Sequence, residues 1–208
     1  MNQIMAAEQI LRHKRDEKNA GLIDILQQIQ KSGDEAVATM QNCIPEIFLS
    51  AVIPVNLNRI LHEVMLLSEQ RLLKHDIKIH WLPQTNLPAI LGSENRLRIL
   101  FKQLIDNAID AMSQSACPDP QIKIMTETDG ELIVASIEDT GPGIPVDKRA
   151  KVFEPFYTTR SMGGNQAGMG LVIVKEIVNQ HQGVIDISSD YDKGCCFKIS
   201  FPRHKSTV

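Results

Sequence analysis

Long hydrophobic runs are missing from this sequence. Across its 208 residues none approaches the roughly 20 apolar positions that a bilayer-spanning helix requires. The N-terminus also lacks a charged head followed by an apolar signal core. A soluble, cytoplasmic protein without membrane attachment is expected, any tether or sensor lying outside the chain. A one-sided charge is missing too. The formal net charge is -3, with acids and bases interspersed, so no basic face offers itself to nucleic acid and no polybasic segment to lipid. The four cysteines (Cys43, Cys117, Cys195, Cys196) form no CxxC pair and the six histidines no HExxH. Structural zinc and a disulfide framework are therefore not expected, and the thiols read as reduced. Neither GxGxxG nor GxxxxGKS is present, which excludes the Rossmann and P-loop routes to a nucleotide. No internal repeat is visible.

What is present fits one main domain with a small appendage, since a chain of this length buries one good core but hardly two. Met1 to Leu11 has helical apolar spacing with no cap ahead of it, and a second apolar series runs from Leu22 through Ile29 to Val37 and Met40 before Pro45. Residues 1–45 thus read as a helical hairpin, too thin to bury both faces alone. Pairing with a second copy into a four-helix bundle would make a homodimer. Pro54 marks a boundary, and residues 52–203 form the main domain. A helix is expected through Leu61, Val64, Leu67 and Leu72, then a strand at 77–81. Ser93 would cap a helix carrying Asn107, and 113–120 would be a loop. A hairpin at 121–127 and 131–138 turns at Asp129-Gly130, a helix spans 171–180 and ends near Gly183, and strands follow at 184–188 and 195–201. The sum is an α+β fold, a two-layer α/β sandwich with a mixed or antiparallel sheet.

Three segments carry chemistry. Gln103, Asn107 and Asp110 are spaced four and three apart, so they share one helix face, while Leu100, Leu104, Ala108 and Ala111 can occupy the buried flank. Such a stripe either looks into a cavity, where an amide oxygen suits Mg²⁺, or faces solvent. Asp139 ends an apolar strand and is followed by Gly141 and Gly143. A carboxylate fixed there can accept from the exocyclic amine of adenine, although a plain Asp-Thr-Gly-Pro-Gly turn explains the same residues. Gly168-Met169-Gly170-Leu171 opens a helix whose free N–H groups favour phosphate, as do many glycine-led helices.

In this order, Gln103 to Ala111, Asp139 to Ile144, Phe153 to Arg160 and Gly168 to Leu171 resemble the N, G1, F and G2 boxes of the sensor-histidine-kinase ATP-binding domain, a member of the GHKL superfamily. The resemblance implies a GHKL (Bergerat) sandwich with helices on one face of the sheet. It also implies ATP or ADP with Mg²⁺ as ligand, held by Asn107, Asp110, Ala111, Asp139, Gly141, Gly143, Ile144, Gly168, Met169, Gly170 and Leu171. Asn107 and Gln103 would be the metal ligands. Residues 153–167 and the Gly168 segment would form a lid, with Thr158, Thr159 and Arg160 as phosphate contacts or as a solvated loop. Gln103 stands where these kinases commonly carry Asn and the ATP-hydrolysing relatives a Glu base, and an amide takes no proton from water. Gln166 departs from the usual first glycine of the lid.

A phosphoacceptor is not recognisable. The family's acceptor histidine is followed by an acid and, five residues on, by proline; His13 precedes Lys14-Arg15, and His62-Glu63 has Leu67 in the proline's place. Met1 to Met5 resembles the residues just after that proline, so a chain cut downstream of an acceptor is expected. Glu94 to Arg98, Phe101 to Leu104, Ala167 to Leu171 and Asp190 to Cys195 further resemble the C-terminal part of NifL-type nitrogen-fixation regulators. That resemblance implies an ADP-sensing, histidine-kinase-like module that restrains a transcriptional activator of the NifA type by contact. The alternative is the ATP-binding fragment of an autophosphorylating sensor kinase.

Overall fold

The computed structural model describes residues 51–115, 117–155, 157, 168–189 and 193–204. The expected hairpin over 1–45, Thr158, Thr159, Arg160, Gln166, Ala167 and the Asp190-Tyr191-Asp192 turn lie outside the described residues.

Helix α1 spans Leu57–Lys74 and helix α2 Glu94–Gln114. Each is started by a side-chain cap: Asn56 accepts from the Arg59 N–H and Ser93 from the Arg96 N–H. These caps satisfy donors that the first helical turn otherwise leaves orphaned. On α2 the buried positions Leu97, Leu100, Phe101, Leu104, Ile105, Ala108, Ile109 and Met112 recur every three or four residues. They make a broad apolar stripe that holds α2 as the central helix of the layer. Leu57, Ile60, Leu61, Val64 and Leu72 of α1 are buried in the same cluster.

Strands β2 (Lys78–Leu82), β4 (Gln121–Asp129), β5 (Leu132–Asp139), β7 (Cys195–Pro202) and β6 (Val184–Ser189) lie side by side in that order. The β2–β4 pair is parallel and the other three pairs are antiparallel, so the sheet is mixed as expected. Ile122, Ile124, Ile133, Ala135, Ile137, Phe197, Ile199 and Phe201 occupy alternate positions and are buried, while Lys123, Glu138 and Lys198 face outward. Among the described elements, the helices therefore lie on one face of the sheet. The Asp129-Gly130 turn sits where the hairpin demands it, with Gly130 at φ 62°.

Several boundaries differ from expectation. Pro54 is not a bare boundary but lies inside a three-residue strand, β1 (Ile53–Val55), antiparallel to β3 (Ile90–Gly92). Helix α2 continues to Gln114, into the segment expected as loop. Helix α3 spans Gly170–Gln180, and the left-handed residue after it is Gln182 (φ 55°) instead of Gly183. Gly183 is required by space: a Cβ there would come within 2.8 Å of both Phe201 Cδ1 and the Ser200 carbonyl oxygen.

His181, the C-cap of α3, joins the two ends of the layer. Its Nε2 accepts from the Ser93 N–H (3.1 Å), and its Nδ1–H donates to the Ile177 carbonyl (2.7 Å). Both ring nitrogens are committed in the neutral form. Burial is the main cause of its lowered pKa, aided by nearby Arg96. With the folded pKa below the ordinary 6.5, the His181 contribution is complete above that value and is lost as pH falls through the folded pKa. Denaturant midpoints measured from pH 7.5 downward are expected to fall through this window, and His181→Gln should flatten that fall. Asp139, whose folded pKa is raised, acts in the opposite direction, so the comparison must be made between variant and wild type at each pH.

Candidate functional site

A cavity of about 410 Å³ opens between α2, the chain after β5 and the start of α3. That volume lies within the range of small-molecule sites. Asn107, Ala108, Ala111 and Gln114 form the α2 wall over successive turns of the helix. Asp139 is the acidic residue of the lining. Gly143 and Ile144 follow on the next wall, and Gly168, Gly170 and Leu171 close the third. Apart from Ala108 and Gln114, these are residues expected to share a site, and the eight of them are brought together.

Asp139 is 6 % exposed, at the last position of β5. Burial is the largest influence on its carboxyl and pushes the pKa up to about 6, against hydrogen bonds donated by the Gly141 and Cys195 N–H groups. The Gly141 bond is 2.9 Å long. Buried polar groups are expensive unless paired, and here the backbone supplies two donors that fix the carboxylate's direction. Gly141 does not line the cavity; its place is to hold Asp139, since a Cβ there would meet Asp139 Oδ1 at 2.8 Å. Gly143 needs its glycine for conformation, with φ 71°.

The wall behind Asp139 is braced from the far side. Ser189 Oγ donates to the Gly194 carbonyl (2.8 Å) and accepts from the Ile144 N–H (2.7 Å), tying the loop after β5 to the turn before β7. Thr140 Oγ1 likewise accepts from the Gln121 N–H at 2.9 Å. The floor is thus a set of short backbone contacts and not a flexible turn.

Three more expected residues lie outside the lining. Asp110 does not line the cavity: Asp110 Oδ1 and Asp106 Oδ1 both accept from Arg71 of α1, so the stripe Gln103-Asn107-Asp110 is divided between two surroundings. Gln103 packs beneath the start of α3, where a Cβ on Gly170 would fall 2.3 Å from Gln103 Nε2. Met169 is the N-cap position of α3 and supplies no side-chain hydrogen bond to the first turn. The first turn of α3 carries no acid, and its N-terminal end opens onto the cavity through Gly168, Gly170 and Leu171. Its uncapped N–H groups and helix dipole suit an anion.

The cavity also recruits residues that the sequence did not single out. Cys195 and Phe197 enter because the inner face of β7 continues under Asp139, with Cys195 directly opposite it in register. Burial, then the Asp139 charge, pushes the Cys195 thiol up to about 12, so it is a packing group and not a nucleophile. Tyr157 comes from the 153–160 segment noted above, and Lys148 from the turn before it, which no spacing rule marks. Among the described residues no cluster of three or more His, Cys, Asp or Glu side chains could hold a metal ion. His62, which is followed by Glu63, is exposed on α1.

Residues 92–205 match the profile of the family described as histidine kinase-, DNA gyrase B-, and HSP90-like ATPase. The chain is 34% identical over 149 residues to sporulation kinase A of Bacillus subtilis, covering 72% of this chain and 23% of that protein. It is 30% identical over 148 residues to the sensor histidine kinase ZraS of Escherichia coli K12, covering 71% of this chain and 30% of that protein. The chain thus spans less than a third of the length of either relative. Among solved structures, the nucleotide-free catalytic domain of the histidine kinase ThkA superposes with a TM-score of 0.65 at 27% identity, covering 74% of this chain and 96% of that one. Full-length ShkA, solved in complex with AMPPNP, gives 0.66 at 28% identity, covering 76% and 32%. These relatives are sensor and sporulation kinases, and they do not single out the NifL type. The match covers more than half of the sequence and includes the whole described cavity, so the chain belongs to the histidine kinase-, DNA gyrase B-, and HSP90-like ATPase family.

Proposed function

We propose that this chain is the catalytic, ATP-binding part of a two-component sensor histidine kinase. The observation that carries the reading is the buried Asp139 carboxylate, aimed by two backbone donors into a cavity that also contains Asn107 and the start of α3. A carboxylate held in that way can accept from the exocyclic amine of adenine, with Ala111 and Ile144 offering apolar contact to the ring. The phosphates would then run toward Asn107 and the α3 N-terminus. Thr159 and Arg160 remain candidates for the lid side of the same chain of phosphates.

Mg²⁺ fits this arrangement only as a companion of the nucleotide. Among the described residues the cavity wall offers two amides, Asn107 and Gln114, and no carboxylate cluster, whereas Mg²⁺ keeps waters and bridges phosphates. Asn107 would contribute its oxygen; Gln103, beneath Gly170, would support the helix start more than the metal. When bound, the ion would neutralise phosphate charge. What the chain itself contributes is a direction for the adenine, an amide beside the phosphates and a helix end for their charge.

A regulatory, NifL-type module is the second reading. It rests on the absence of an acceptor-like histidine and on Gln103, an amide that cannot serve as a base. In that reading ADP binding would change the contact with a transcriptional activator of the NifA type, and residues 1–45 would pair two copies. The relatives named above are kinases and favour the catalytic reading. Incubating the chain with ATP labelled on its terminal phosphate, together with a histidine-bearing helical hairpin supplied in trans, separates them. Transfer of acid-labile label to the hairpin is the expected result. Nucleotide binding without any transfer would replace it with the sensing module.

A further inference from the structure

Lys148 has no assigned role in either reading. It sits in a 3₁₀ turn, Val146–Lys148, five residues past Gly143, and its side chain is half-buried in the cavity wall. Among the described residues of that wall it is the one cation. It also has no hydrogen-bonding or ion-pair partner for its ammonium there, in contrast to Arg149 beside it, which donates to the Ile144 carbonyl. A cation that lines a cavity without a counter-charge there is available to an anion that enters it. The turn that bears it leans on a second turn, Lys151–Phe153, whose Phe153 ring lies 5.6 Å beneath Lys175 Nζ of α3. Lys148 and the start of α3, whose uncapped end already favours negative charge, line the same cavity.

We propose that Lys148 binds the phosphate chain of the nucleotide and sets the preference of this site for phosphorylated over unphosphorylated adenosine. The proposal rests on the adenine-nucleotide reading of the same cavity. The division of labour is physical: Asp139 is an acceptor only and would repel phosphate, so it can read the base but not the tail. The dipole of α3 is a partial charge, about half an elementary charge at the helix end, against a diphosphate bearing more than two. Lys148 adds a full positive charge from a third direction. A lysine suits this task because a flexible stem with a point charge can follow a tail whose position shifts between ATP and ADP.

Calorimetric titration of the full chain with ADP and with adenosine tests this. Lys148→Ala is expected to weaken ADP about tenfold, the scale of one charge-assisted contact, and to leave adenosine unchanged. Lys148→Arg should recover most of the loss, and Lys148→Glu should exceed it. Raising the salt concentration should weaken ADP binding less in Lys148→Ala than in wild type. Unchanged ADP affinity in both Lys148→Ala and Lys148→Glu would overturn the proposal, as would an equal loss for adenosine. If Asp139→Asn spares adenosine while Lys148→Ala weakens ADP, the adenine assignment fails and the anion contact stands. The reverse pattern removes Lys148 alone.

Discussion

Asp139→Asn is expected to remove measurable adenine-nucleotide binding while the chain still folds. The carboxylate has two oxygens that both accept, and both are used: the Gly141 and Cys195 N–H groups take one set of lone pairs and leave the other aimed into the cavity. An asparagine keeps one acceptor and converts the other oxygen into a donor. If its oxygen stays on the backbone N–H groups, the new NH₂ faces the adenine amine, donor to donor. If the amide turns over, NH₂ faces two buried N–H groups instead. Either choice loses a contact to a charged acceptor and leaves a buried donor unpaired, together about 3 kcal/mol or more, which is over a hundredfold in affinity. Calorimetry with ADP reads the loss, and far-UV circular dichroism checks that the fold persists. An affinity within a factor of three of wild type would refute the role of Asp139.

The same residue gives a pH signature. Burial holds its pKa up to about 6, so the acceptor is ionised at neutral pH and is protonated as pH falls through that value. ADP affinity should therefore decline between pH 7 and pH 5. Protonation also removes the cost of the buried charge, so the fold gains stability from Asp139 over the interval in which the site loses affinity. Binding and stability moving in opposite directions distinguishes this residue from His181, whose protonation lowers stability.

Much of the fold was legible because local patterns and long-range packing agree. The three-to-four spacing on α2, with Ser93 ahead of it, predicts a capped amphipathic helix, and Ser93 does cap it. The β4–β5 hairpin follows from Asp129-Gly130 between alternating segments. The two strands that were missed, β1 and β3, have three residues each, too few for alternation to register, and exist only through long-range pairing, as in Ile53↔Gly92. The turn after α3 shows the same limit in another form. Gly183 attracts the left-handed conformation in any sequence reading, yet Gln182 adopts it, because Phe201 and Ser200 leave no room for a Cβ at 183.

The site divides along the same line. Helical periodicity states which residues share a face but not what the neighbouring helix presents to it. Asn107 meets the cavity, while Asp110, three residues on, meets Arg71, a partner 39 residues away that no local rule connects to it. The glycines of the G1 and G2 segments were visible as motifs. Ser189 was not, because its work is to join Ile144 to Gly194, and only the closed sheet brings those two together.

Gly194→Ala carries the largest expected cost to folding, and Gly130→Ala supplies its control. Both glycines have positive φ, 93° at Gly194 and 62° at Gly130, so both alanines suffer backbone strain of about 1–3 kcal/mol. They differ in surroundings. A Cβ on Gly130 meets nothing within 4 Å, whereas a Cβ on Gly194 would fall 1.9 Å from the Asp139 carbonyl oxygen and 2.9 Å from its carbon. That overlap is with backbone, held on one side by the β5–β7 ladder and on the other by Ser189, so no rotamer change relieves it. The turn must move away from β5. Gly130→Ala should lower the melting temperature by a few degrees and leave ADP binding intact. Gly194→Ala should lower it by about 10 °C and weaken ADP binding as well, because the overlap displaces the backbone of Asp139 and of Gly194, the neighbour of the Cys195 N–H that helps to aim the carboxylate. Equal melting temperatures for the two variants would show that strain alone decides the cost. Unequal melting with unchanged ADP binding would show that the carboxylate's aim does not depend on the turn behind it. A fall in both observables for Gly194 alone is what a floor built from backbone contacts requires.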